Sequence, residues 1–433
     1  MTHLKNSYAP MRSLLALLLI GILAAGCKAE AEREPVPEAS HWWKGNLHTH
    51  SLWSDGDEFP ETIIGWYAEH GYDFIALSDH NTLAEGERWI KVPDGSPIAN
   101  IYEAYLAQYG EDWVESRTEN DTLQVRLKTL EEYRTLFEDE EDFLIIQSEE
   151  ISDGFDGKPI HVNATNIQER IAPQGGTSVT DVMQRNVDAV LAQREETGTP
   201  MFPHINHPNF IWAITAEDLI PLQGERFFEV HNGHPLVHNH GDHQHPSTER
   251  LWDIILTERL AHGDEVMYGL ATDDAHNYHQ YDSTRSNPGR AWVMVRAESL
   301  TPDALIAAME AGDFYATTGV LLDDMHADSS TIRLTIQPQD SVTYRTQFIG
   351  TREGYDPASE PMEDAEGVAV TRRYSDSIGT VLAEVEGLTP SYTMQGDEVY
   401  VRAKIISSKP KDNPLQAGEV ETAWTQPVSP PKQ

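Results

Sequence analysis

"FIALSDH", residues 74–80, decides how the chain folds. Phe74 to Leu77 is a short unbroken apolar run, the length and composition that a strand buried on both faces requires. Directly after it the chain turns polar, with Ser78, Asp79 and His80. The pattern recurs along the sequence. Residues 143–146 lead to Glu149 and Glu150, residues 201–205 to Asn206 and His207, residues 227–230 to His231, and residues 266–271 to Asp273, Asp274 and His276. Amphipathic helical segments lie between these runs, at 60–69, 179–194, 248–261 and 302–311. Pro60 and Pro302 stand where first-turn prolines belong, and Thr301 is placed to cap the last helix. Alternation of this kind predicts an α/β domain with a parallel sheet, in which the C-terminal ends of the strands converge on one face.

Working outward, the chain is 433 residues long, which predicts two domains at roughly 100 to 200 residues each. The second begins near Ala327. There "STIRLTIQPQ" and "EVYVRAKIIS" alternate apolar and polar residues, predicting a small all-β, sandwich-like domain over 327–433 that packs against the first. The charge is strongly acidic, 31 Lys and Arg against 71 Asp and Glu, for a formal net charge of −40. Such a surface repels polyanions, so nucleic acid is not an expected partner. The segment 81–142 carries charged helical sequence and reads as a solvated insertion.

At the N-terminus Lys5 and Arg12 precede "SLLALLLIGILAAGC", an apolar stretch too short for a bilayer crossing of about 20 residues. It reads as an export signal over residues 1–27, followed by a flexible tether at 28–40. Cys27 is the single cysteine of the chain, which leaves no disulfide and no thiolate zinc site. "LAAGC" resembles the bacterial lipobox. The resemblance implies a lipid on Cys27, and a protein exported and anchored to a bacterial membrane at its periplasmic or cell-surface side.

"NLHTHSLWSDGDEFPE", residues 46–61, adds the densest cluster. On an extended strand His48 and His50 point the same way and can grip one small object between them. With Asp55, His80, Glu150, His161, His207, Asp274 and His276, the sequence supplies imidazole and carboxylate groups at one strand end after another. Any one of them is unremarkable as a core or surface residue. Their joint order points to a metal centre.

His48-Thr49-His50, Ser54-Asp55-Gly56, Asp79-His80, Glu150, His161, His207 and Asp274-Ala275-His276 resemble the ordered motifs of the PHP (polymerase and histidinol phosphatase) superfamily. "KGNLHTHS", "SEEIS", "INHP" and "EVHNG" are similar to its CehA/McbA-like branch of metallohydrolases. The likeness spans residues 42–322. It implies a distorted (β/α)7 TIM-like barrel over 41–326 that holds two or three divalent ions. By the same resemblance His48, His50, Glu150 and Asp274 would hold the first ion. Glu150 would bridge to a second ion held by His161 and His207, and Asp55, His80 and His276 would hold a third. Asp55 stands where several members have histidine. Glu150 is taken over Glu149 because it directly precedes Ile151, and Asp274 over Asp273 for its Asp-x-His spacing.

Ligands without thiolate suit Zn, Mn or Fe. An ion of this kind lowers the pKa of water from about 15.7 to about 7 in the case of zinc, giving a hydroxide nucleophile near neutral pH. A small-molecule ester is the expected substrate, and phosphoester hydrolysis the expected reaction. The alternatives are hydrolysis of a carboxyl or carbamate ester or an amide, as in the carbaryl-hydrolysing members of that branch, and a non-catalytic metal-binding surface module. Asp79 is read as a partner that orients a ligand imidazole. Arg285 and Arg290 are candidate phosphate clamps or surface ion pairs. His204 and His231 are candidate proton donors or structural histidines. "HNGHPLVHNHGDHQHP", residues 231–246, reads as an exposed loop over the metal face, with a weak extra metal site as the alternative.

Overall fold

The computed structural model describes residues 41–138, 142–363 and 367–430. The export signal, Cys27 and the tether at 28–40 lie outside them. The main sheet has thirteen strands: β1 (His41–Asn46), β2 (Phe74–Leu77), β3 (Leu144–Phe155), β4 (Lys158–Thr165), β5 (Phe202–Ile205), β6 (Phe227–Asn232), β7 (Tyr268–Thr272), β8 (Trp292–Ala297), β9 (Phe314–Thr317), β10 (Tyr344–Arg352), β11 (Thr380–Glu386), β12 (Glu398–Pro410) and β13 (Val420–Thr425). Their spatial order is β7-β6-β5-β4-β3-β2-β1-β8-β9-β13-β12-β10-β11. The helices are α1 (Pro60–Glu69), α2 (Pro97–Tyr109), α3 (Leu130–Phe137), α4 (Val179–Thr197), α5 (Ala216–Leu219), α6 (Thr248–His262) and α7 (Pro302–Glu310).

Local chemistry explains the helix bounds. Ser178, Ser247 and Thr301 each accept a backbone N–H of the following first turn, and Gly198 and Gly263 end α4 and α6 at φ +69° and +86°. Gly45 is required by packing: a Cβ there would stand 2.1 Å from the Phe74 ring.

The expectation of a parallel barrel needs correction. β1–β2, β2–β3, β5–β6 and β6–β7 pair in parallel, but β3–β4, β4–β5, β1–β8 and β8–β9 are antiparallel. The cause of the first reversal is a two-residue turn. Asp156 and Gly157 both have positive φ, +51° and +78°, the requirement of a hairpin turn whose twist suits the flanking strands. Nor does the sheet close into a barrel. Among the described residues β7 lies beside β8 and β9 with no ladder between them. The seam is bridged only beyond the strand ends, where the His50 N–H donates to Ala275 O and the Asp274 N–H to His48 O, both at 2.9 Å.

The insertion at 81–142 is more than a solvated helical face. Strands at Arg88–Val92, Ser116–Glu119 and Thr122–Leu127 form an antiparallel sheet beside α2 and α3. Their core packs on the loop that carries Asp55 through Trp53 and Phe59, and Phe59 stacks on Tyr105 at 3.9 Å.

From residue 312 to 430 the described elements are all strands, and β13 pairs with β9 through Tyr315–Thr425 and Thr317–Ala423. Met294 and Tyr315 share one apolar core with Val401, Ala403 and Ile405. The C-terminal strands therefore continue the main sheet across residue 327. Among the described residues no helix is long and apolar enough to cross a membrane.

Candidate metal centre

Strand register explains the centre. His48 and His50 follow β1 in extended chain, paired through Thr49 to Ala275 beyond β7. In the β3–β4 hairpin Glu150 faces Asn163 and Ser152 faces His161, so these four side chains share one side of the ladder. Glu149 falls on the other side, where it accepts the Ile171 N–H.

The nine residues expected as ligands come together. His48 Nε2 lies 3.5 Å from Glu150 Oε1 and 3.3 Å from Asp274 Oδ1, and His50 Nε2 lies 3.5 Å from Glu150 Oε2 and 3.3 Å from Asp274 Oδ1. Glu150 Oε1 is also 2.8 Å from His161 Nδ1 and 3.4 Å from His207 Nε2. Asp55 Oδ1 is 3.5 Å from His80 Nε2 and 3.4 Å from His276 Nε2.

The donor atoms fall into overlapping groups of metal-binding size. They are His50, Asp55, His80 and His276; His48, His207 and Asp274; His48, His50 and Glu150; His80, Glu150 and His161; and, behind His48, His48, His204 and Glu229. Relative to the expected sets, His207 joins His48 and Asp274 besides approaching Glu150. Asp55 is 58% exposed, so the group it belongs to opens to solvent.

Electrostatics and unfilled valences fit divalent cations. Burial by itself would raise the Glu150 carboxyl, yet His161, His80 and His48 hold it well below the usual carboxylate range. Burial, with His276 and His80, pushes His50 down to about 3. His48 Nε2 and both ring nitrogens of His50 are buried without a hydrogen-bond partner. Orphaned polar atoms of this density are costly unless something pairs with them, and imidazole with carboxylate is a donor set suited to Zn, Mn or Fe.

The acids next to the ligands hold the scaffold. Asp273 accepts Tyr67 Oη–H at 2.8 Å and the backbone N–H groups of Gly289, Arg290 and Ala291 at 2.8, 2.6 and 2.9 Å. Asp79 differs from its expected role. Its carboxylate accepts Ser51 N–H, Ser51 Oγ–H and Ser54 Oγ–H at 2.8, 2.7 and 2.6 Å, so it fixes the turn that carries Asp55 and does not orient an imidazole.

Of the remaining substrate-contact candidates, Arg290, His204 and His231 are reassigned. Arg290 is 3% exposed and its guanidinium donates to the carbonyls of Gly233, Asp282, Arg285 and Asn413 and to the side chains of Asn287 and Asn413. All five of its N–H groups are engaged, leaving none to clamp a phosphate. Arg285 is exposed, with Gln280 Oε1 as a partner at 3.4 Å. His204 is fully enclosed behind His48, 3.5 Å from Glu229, out of reach of a leaving group entering from solvent. His231 stacks on Trp424 at 5.5 Å and lies 3.2 Å from Lys411 Nζ, lining a separate cavity of about 360 Å³. A one-residue register shift between β6 and β7 at Leu270 and Ala271 turns it away from the face of Glu229.

Two residues of the centre take no role of their own from the sequence, His234 being read only as part of the loop at 231–246. Glu229, on β6, accepts from His48 Nδ1 and Thr272 Oγ1 with one oxygen, both at 2.7 Å. With the other it accepts the His207 N–H at 2.7 Å and Asn232 Nδ2 at 2.8 Å. Asn232 in turn donates to Asp274 at 3.1 Å. One buried carboxylate thus orients three of the nine groups. Its signal was a charge inside the apolar run "FFEVHN". The second is His234, whose ring lies 5.6 Å from that of His276. The rest of the histidine-rich loop is anchored elsewhere: His238 and His245 sandwich Trp212 at 4.3 and 4.1 Å, and His240 pairs with Glu419 at 2.9 Å.

No family model matches the chain, and no curated protein matches it. Among solved structures it is similar to a two-domain protein from Bacteroides vulgatus containing a predicted PHP-like metal-dependent phosphoesterase. The identity is 15%, the likeness covers 91% of this chain and 97% of that one, and the TM-score is 0.37. It is also similar to an amidohydrolase from Chromobacterium violaceum with bound sulfate and no metal, at 13% identity over 54% of this chain and 87% of that one, with a TM-score of 0.25.

Proposed function

We propose that this chain is a metal-dependent phosphoesterase of the PHP type, acting on a small phosphomonoester or phosphodiester. The observation that carries the reading is the overlap of the donor groups: His48, His50, His80 and Glu150 each belong to two or more of them, and the group containing Asp55 opens to solvent. Shared ligands bring ions close enough to act on one substrate group, and an open position separates a hydrolytic centre from a closed structural one. Divalent ions held there would supply Lewis acidity and activate water near neutral pH.

The chain's own residues do the positioning. Glu229 sets the ring orientation of His48, Asp79 holds the turn bearing Asp55, and Asp273 with Arg290 fixes the loop after Asp274. The sequence before Cys27 supports export and a lipid anchor on that residue.

Hydrolysis of nitrophenyl phosphate, bis-nitrophenyl phosphate and nitrophenyl acetate, each with and without chelator, tests the reaction class. Phosphate turnover lost to chelator and restored by Mn or Zn supports the phosphoesterase. Turnover of the acetate alone moves the assignment to a carboxyl or carbamate ester hydrolase.

A further inference from the structure

Two loops leave the ligand-bearing strand ends and meet over the centre. One follows His207 and the other follows β6. They join through the Phe210–Val237 bridge and a hydrogen bond from the Ile211 N–H to Leu236 O at 3.5 Å. Aromatic rings then run in an arc across both: His207 to Phe210 at 4.9 Å, Phe210 to His234 at 5.4 Å, His234 to His276 at 5.6 Å. The arc connects a ligand from one donor group to a ligand from another.

At its rim Ile211 and Leu236 are 50% and 51% exposed, neighbours across the bridge. The chain holds Ile211 out by an unfavourable backbone. Its φ is +44° and that of Trp212 is +62°, a region in which a β-branched residue is an outlier and which such strain favours at binding sites. The stack of Trp212 between His238 and His245 locks that conformation. His234 is oriented as well. Its Nδ1 accepts the Leu236 N–H at 3.2 Å, which places the ring proton of the neutral imidazole on Nε2.

We propose that these bridged loops are a substrate subsite: Phe210, Ile211 and Leu236 take an aromatic or branched apolar substituent of the ester, and His234 donates Nε2–H to an oxygen of its scissile group. This rests on the hydrolase reading and deepens it. Specificity would come from the rim and not from the ion ligands.

The test is equilibrium binding to the full-length, metal-loaded protein of two non-hydrolysable pairs, phenylphosphonate against methylphosphonate and phenylacetate against acetate. The phenyl member is expected to bind about tenfold tighter or better, the gain from moving a phenyl ring out of water. In the double variant Ile211→Ser/Leu236→Ser the preference falls to about twofold at most, with methylphosphonate affinity and metal content unchanged. His234→Gln weakens both members of a pair about tenfold and keeps their ratio, as expected for one lost hydrogen bond to a charged group. A ratio near one in the wild type, or an undiminished ratio in the double variant, overturns the subsite. If that variant instead loses self-association in sedimentation or vesicle binding in flotation, the rim serves a second copy or a lipid surface and the proposal fails. Binding and aryl preference in the carboxylate pair with no phosphonate binding would overturn the phosphoester reading and leave the subsite standing.

Discussion

Histidine is concentrated in two regions of this chain, and the two use it in opposite ways. At the strand ends His48, His50, His80, His161, His207 and His276 share a few carboxylate oxygens and are largely or wholly buried. In the loop after β6, His238 and His245 hold a tryptophan and His240 makes an ion pair while 56% exposed. Residue type is the same in both. The difference is register: strand pairing turns the first group toward Glu150 and Asp274, while an irregular loop turns each ring to its nearest partner.

The largest test of this contrast is Glu150→Gln. Glu150 approaches His48, His50, His80, His161 and His207, so the loss of metal affinity should exceed the roughly 10- to 100-fold that partners of ligands cost. Isothermal titration with Mn or Zn measures it, and unaltered affinity would break the comparison. Glu229→Gln sharpens it. The variant keeps the fold but loosens His48 and His207, with metal affinity falling about 10- to 100-fold while the stack of Trp212 between His238 and His245 is unchanged.

Chelation comes next. An ion that binds only the folded chain at 100 times its dissociation constant adds about 2.7 kcal/mol of stability, so chelator should lower the melting temperature of the wild type and leave that of Glu150→Gln in place. On the loop side, Trp212→Ala removes two ring stacks worth about 0.5 to 1.5 kcal/mol each, read by denaturant unfolding, with metal content unaffected. The smallest effect is expected for His240→Ala, within about 1 kcal/mol, because His240 is exposed and Glu419 keeps Lys411 and the Leu415 N–H as partners.

The strand ends were legible because apolar runs and their polar termini are local features, and register then carried Glu150 and Asp274 to one face. Asp156-Gly157 was equally legible as a hairpin signal, and reading it would have reversed β4 and removed the all-parallel barrel. Glu229 was readable as a charge within an apolar strand. Arg290 was not, since its partners at Gly233 and Asn413 are fixed by tertiary packing far away in sequence. His231 was hidden by a one-residue register shift, which no local pattern announces.

The central claim is that the strand-end cluster holds divalent ions through Glu150. Elemental analysis of purified wild type and Glu150→Gln, reconstituted side by side with Mn or Zn and desalted, tests it most directly. The account predicts two or more ions per wild-type chain and fewer than one in the variant. Equal metal content in the two proteins, or less than one ion in the wild type, would contradict it.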